Sequence, residues 1–222
     1  MVFFAGQALF AQDHLEPASS WRDYSRSQLR NINFNEILFE DEAFTGNKVY
    51  LRYFHAGGFM DEKHSFELLE IRGKWVLAYK KADMYYWPSL FSFRVATPPG
   101  LLDGTAHEDE DQYLRIERNL GDDDAWSLIE LFYPAVMEAR FKDKAFFVMD
   151  ASNYYFTITL RNGRLRTAQI RSGETQKNTR ELIRICNEII RQMQIHPDSI
   201  DFSPELKNRI NTLSEKFRNS SP

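Results

Sequence analysis

The sequence predicts an α+β fold: an antiparallel β-sheet of about six to nine strands with several hairpins, and two C-terminal amphipathic helices packed on one face. Three observations predict it. Asn162-Gly163 separates two runs of alternating residues, and Gly73-Lys74 separates two more. After residue 178, apolar side chains recur at three- and four-residue spacing in two separate stretches.

Taken in order, residues 1–11 carry no charge, and the polar chain begins at Gln12-Asp13-His14. This reads as the latter part of an export signal. No basic residue precedes the apolar stretch, and Leu9 stands where a small residue is usual, so a terminal strand or helix is the alternative. The expected location is periplasmic or secreted, with cytoplasmic as the alternative. Residues 13–222 are read as one α+β domain, and the sole candidate boundary is the Pro-Pro-Gly and acidic run near 98–112. Residues 20–30 are read as a short helix and 33–39 as an extended piece.

Val49 to Phe54 is a candidate strand, rich in aromatic and β-branched residues. Phe66–Ile71 and Trp75–Tyr79 form a hairpin in which Gly73 suits the first central position of a type II′ turn. That register pairs Ile71 with Val76, Leu69 with Ala78, and Glu67 with Lys80, the last a favourable charge pair. Leu90–Val95 is a strand stopped by Pro98, and Tyr113–Glu117 is a strand within an acidic loop region, 103–124. Trp126–Tyr133 is strand-like and closed by Pro134, and Phe141–Met149 is a further strand.

The strongest local signal is Tyr154–Arg161, Asn162-Gly163, Arg164–Arg171. A type I′ turn at Asn-Gly pairs Leu160 with Leu165, Ile158 with Thr167 and Phe156 with Gln169. One face then holds Tyr154, Phe156, Ile158, Leu160 and Leu165, and is buried. The other holds Thr157, Thr159, Arg161, Arg164 and Arg166, and is wet. Asn178-Thr179-Arg180-Glu181 resembles a capping box opening a helix with the stripe Leu182, Cys186, Ile189, Met193. Ser203-Pro204-Glu205 opens a second helix with the stripe Leu206, Ile210, Leu213, Phe217.

Composition narrows the function classes. Hydrophobic residues make up 43% of the 222 and charged residues 27%, ample apolar surface for a packed core. The net charge of −4 disfavours nucleic acid as a partner, and no apolar run approaches the ~20 residues of a membrane helix. The charge is uneven: residues 1–160 sum to −9 and residues 161–222 to +5. The single cysteine, Cys186, excludes an intramolecular disulfide, and its place on an apolar stripe makes it a core thiol.

No catalytic set emerges. There is no Gly-x-Ser-x-Gly and no phosphate-binding glycine loop. His55 and His64 flank Asp61 and Glu62, and contiguous acids occur at 107–111 and 122–124, but neither spacing matches a metal motif. No metal site or cofactor is assigned. The feature that stands out is the arginine-rich hairpin, with Arg161 and Arg164 expected opposite each other and Arg166 beside them. Like charges so placed are mildly unfavourable unless something negative lies between them, an acidic partner or, as the alternative, solvent or the acids of segment 103–124. The expected function is a non-enzymatic, exported binding protein that meets an acidic protein or a small anionic ligand through this hairpin or an adjacent cleft. The alternative is a small hydrolase, or a small-molecule or lipid carrier, with an aromatic-lined pocket drawn from Trp75, Trp87, Tyr85, Tyr86 and Tyr155.

Overall fold

The computed structural model of the chain describes residues 15–17, 47–56, 63–82, 113–140 and 152–219. The expectations for residues 1–12, 20–30, 33–39, 90–95, 98–112 and 141–149, and for Asp61, Glu62, Tyr85, Tyr86 and Trp87, lie outside the described residues.

Eight strands form one sheet: β1 (Glu16–Pro17), β2 (Lys48–Ala56), β3 (His64–Ile71), β4 (Lys74–Ala82), β5 (Tyr113–Leu120), β6 (Asn153–Thr159), β7 (Leu165–Arg171) and β8 (Ser199–Ile200). Their spatial order is β1-β7-β6-β2-β3-β4-β5-β8. All pairs are antiparallel except β5 with β8. A four-stranded meander, β2 to β5, is thus extended at its β2 edge by the β6–β7 hairpin. Three helices accompany it: α1 (Asp122–Met137), α2 (Lys177–Ile195) and α3 (Pro204–Asn219). The α+β class, the largely antiparallel sheet and the two C-terminal helices match the sequence. None of these helices is long and apolar enough to cross a membrane.

Helix α1 corrects the strand read at 126–133. Asp122, Asp123 and Asp124 are its first turn, where negative charge favours the helix dipole, rather than an acidic loop. Ala125, Leu128, Leu131, Phe132 and Ala135 then fall on its buried side. Pro134 sits inside the helix and has no N–H to give the carbonyl of Glu130. That carbonyl instead accepts the hydroxyl of Ser214 on α3 at 2.7 Å. An orphaned acceptor is satisfied by tertiary contact, so the helix tolerates its proline.

Both hairpins differ from expectation in register, by two residues of pairing at β3–β4 and by one at β6–β7. At β3–β4 the central residues are Arg72 (φ 51°) and Gly73 (φ 76°), a type I′ turn with Ile71 opposite Lys74. Glu67 therefore faces Ala78, and Lys80 lies diagonal to it. At β6–β7, Gly163 N–H donates to Leu160 C=O (2.9 Å) and Leu160 N–H to Arg164 C=O (2.8 Å). Only Gly163 has positive φ there, at 76°. This is a type I turn with a glycine bulge, which sets Phe156 opposite Ala168 and Ile158 opposite Arg166.

The helices open in the expected neighbourhoods. Leu206 N–H donates to Ser203 Oγ at 3.2 Å, so Ser203 caps α3 as predicted. Helix α2 begins two residues before the predicted box: Gln176 is its cap, and Thr179 Oγ1 accepts from Gln176 N–H at 2.9 Å. Helix α2 crosses the sheet, with Asn187 at the Tyr53 hydroxyl and Gln194 at that of Tyr79. Helix α3 packs on α1 and α2. Its Lys207 pairs with the buried Asp124 of α1 (2.8 Å), whose other oxygen takes the Phe202 N–H (3.0 Å).

The main core lies between the sheet and the helices. Phe132 of α1 meets Phe66 and Phe156 of the sheet edge to face, at 6.2 and 5.8 Å. The other sheet face was expected to be wet, and at its centre it is not. Arg52, Ser65, Glu67, Lys80 and Thr157 are all buried there beside a small apolar cluster of Val49, Leu69 and Ala78. Arg52 Nε donates to Glu67 Oε1 at 2.6 Å, and Lys80 Nζ lies 4.0 Å from Glu67 Oε2.

Candidate functional site

The bulge at Gly163 disperses the arginine face. Arg161 and Arg164 stay exposed at the tip, but Arg161 lies in the loop and faces no cross-strand partner. Arg166 is turned to the helix side of the sheet. Its Nη2 donates to the carbonyl of Met137 at 3.2 Å and its Nη1 lies 3.4 Å from the Met137 sulfur. Arg166 thus satisfies a carbonyl at the C-terminal end of α1, a structural duty favoured by the helix dipole. The three arginines do not converge.

Nor do the described aromatic candidates. Trp75 is buried on the helix side, edge to face with Tyr50 (4.6 Å) and Trp126 (5.7 Å). Tyr155 lies on the opposite face, stacked on Phe54 at 5.9 Å. A pocket containing both would have to pass through the sheet. His55 and His64 are cross-strand partners with ring centroids 4.8 Å apart, and Tyr154 stacks on His55. Among the described residues, no three His, Cys, Asp or Glu side chains come together as a metal would require. Cys186 is fully buried, and burial pushes its thiol well above the usual range, away from the reactive thiolate.

A different cluster does converge. The N-terminal half of α2 and the middle of α3 enclose an open cavity of about 470 Å³. Lys177, Arg180 and Arg184 line it from α2, and Arg209 and Lys216 from α3. Helical geometry explains the alignment: three, four and seven residues along a helix return to the same side. Glu181 is the one acid in the lining. It accepts the Nε–H of Arg209 across the groove at 2.7 Å, and Arg184 lies 3.8 Å away on its own helix. Arg180 donates to the Thr175 carbonyl at 3.2 Å. Asn208 and Thr212 add neutral polar groups to the wall. The first turn of α2 carries no acid, so Lys177 and Arg180 stand at the positive end of the helix dipole.

The sequence held half of this signal. The charge excess of residues 161–222 and the position of Arg180 and Arg184 off the apolar stripe were both readable. Which polar side of α2 faces which side of α3 was not, because the intervening loop and β8 set that angle. Chemically, five cations and one carboxylate around a concave wall of charged and neutral polar residues, much of whose exposed surface is aliphatic carbon, suit an anion. Set beside known proteins, the chain matches no family model, no curated protein and no solved structure.

Proposed function

We propose that the protein is a non-enzymatic binding protein that holds an anionic partner in the groove between α2 and α3. One observation carries the reading: five cationic side chains from two helices line one cavity that contains a single carboxylate. Two like charges about 4 Å apart repel by about 1 kcal/mol in water, and by less as they separate. A bound anion turns that repulsion into attraction. The hairpin tip, with Arg161 and Arg164, is the competing location for the same function.

The test is equilibrium binding of inorganic tripolyphosphate and of oligoglutamate to the wild-type chain and two charge-reversed variants. Lys177→Glu/Arg180→Glu should lose binding of whichever probe is held, and raising salt should weaken it in the wild type. Arg161→Glu/Arg164→Glu should retain it. Loss in the hairpin variant alone, or no binding of either probe, refutes the proposal.

A further inference from the structure

We infer that the groove takes a small soluble ligand bearing clustered phosphate groups, an inference that rests on the anion-binding reading above and narrows it. Three features of the groove lead there. The first is size: about 470 Å³ falls in the small-ligand range of roughly 300–1,000 Å³. The second is charge density. Five cations against Glu181 leave a net lining charge of +4. A phosphate monoester carries about −1.5 to −2 at neutral pH, so about two or three such groups balance the wall. A carboxylate carries one charge, about half that of a phosphate monoester, so about four of them would be needed to balance the same wall. The third is the wall itself. Leu213 is its one apolar residue, and that side chain is buried in the core. Protein interfaces are anchored by aromatic side chains and arginine together, and membrane surfaces by inserted apolar side chains; this lining has arginines but no aromatic residue beside them.

The arginines supply directional recognition. Each guanidinium has five N–H donors in a planar fork matched to phosphate oxygens. Arg209 gives its Nε–H to Glu181 and keeps further donors for a ligand. Glu181 is therefore a positioning residue: it holds the α3 guanidinium over the groove toward α2. Its charge nevertheless opposes the ligand. The isosteric change Glu181→Gln keeps an acceptor for Arg209 and removes that charge.

Calorimetric titration of the full chain with inorganic tripolyphosphate, and with oligoglutamate of matched charge, tests the inference. Tripolyphosphate is expected to bind one-to-one and more tightly than oligoglutamate. Arg180→Ala and Lys177→Ala should each weaken it by roughly tenfold, the scale of one charge-assisted hydrogen bond, with unchanged circular dichroism. Glu181→Gln should tighten it. Equal or tighter binding of oligoglutamate overturns the phosphate assignment and leaves anion binding standing. Tripolyphosphate binding that ignores the groove variants places the site elsewhere and overturns the inference. Failure of both probes removes it together with the reading beneath it.

Discussion

The two faces of the sheet are buried by different means. On the helix side, strands present Leu51, Tyr53, Phe66, Leu77, Phe156 and Ile158 to the three helices, and Phe132 wedges between two rings. On the far side, the buried centre is occupied by Arg52, Glu67 and Lys80. The first arrangement gains from area removed from water, about 25 cal/mol per Å². The second spends desolvation energy on three ions and recovers it through their mutual attraction, so its net value is small although each member is indispensable to the others. The lesson is that equal burial does not mean equal contribution.

Removing single members tests this contrast most strongly. Glu67→Ala leaves Arg52 and Lys80 without that carboxylate and should cost about 3–5 kcal/mol in denaturant unfolding. Phe132→Ala should cost a similar amount, about 3–5 kcal/mol, through the cavity it opens. The two losses differ in how they are cured. Replacing all three ions at once, Arg52→Met/Glu67→Leu/Lys80→Met, should restore most of the stability, because the ions are lost together with their desolvation cost. If the triple variant is as unstable as Glu67→Ala, the ion cluster is a net stabiliser and the contrast between faces fails.

A smaller effect lies within the helix layer. Ser214→Ala leaves the Glu130 carbonyl unsatisfied and should cost about 1–3 kcal/mol. In a Pro134→Ala background the helix supplies its own N–H, and the same change should cost far less. Equal losses in both backgrounds would show that the Ser214 hydroxyl acts through some other contact.

At the hairpins the expected gain is smaller again. Arg72→Asn places a residue tolerant of positive φ in the type I′ turn and should stabilise by about 0.5–1 kcal/mol in thermal unfolding. A destabilised variant would assign the arginine side chain a role that outweighs its strained backbone.

A pH dependence at the start of β3 gives a further test. Burial lowers the Lys63 ammonium to about 8. The unfolded chain binds a proton there up to its ordinary value, so between pH 8 and 10 the unfolded state carries more protons and stability should rise with pH. Above that window Tyr53, which burial raises, acts in the opposite sense, because ionisation favours the unfolded chain. Lys63→Met should flatten the rise between pH 8 and 10 in unfolding curves.

The hairpins also show how far local sequence can be read. Asn162-Gly163 marks a turn, but Asn-Gly serves both a type I′ turn and a type I turn with a glycine bulge. These differ by one residue of register, and a one-residue slip exchanges the two faces of a strand. The deciding signal was in β7. Ala168 and Ile170 share a parity, both are buried, and they match Phe156 and Tyr154 only in the bulged register. Arg166 has the same parity, so the bulged register puts it on the helix side and not among the exposed arginines. At 126–133 the aromatic residues and the following proline suggested a strand. The helical spacing from Ala125 to Ala135 is equally legible, but what lets a helix hold Pro134 is Ser214 of α3, 84 positions from the Glu130 carbonyl it satisfies.

By itself the amino-acid sequence determined the fold class, the hairpin positions to within a residue, the one-sided helices after residue 178, the core thiol and the basic excess of the last third. These depend on periodicity, turn chemistry and charge, which act over a few residues. The tertiary structure alone decided that α2 and α3 bring their cations to one cavity, that Arg166 serves the end of α1, and that three ions are buried on the far face. Those outcomes depend on angles and distances between segments far apart in the chain, and no local preference encodes them.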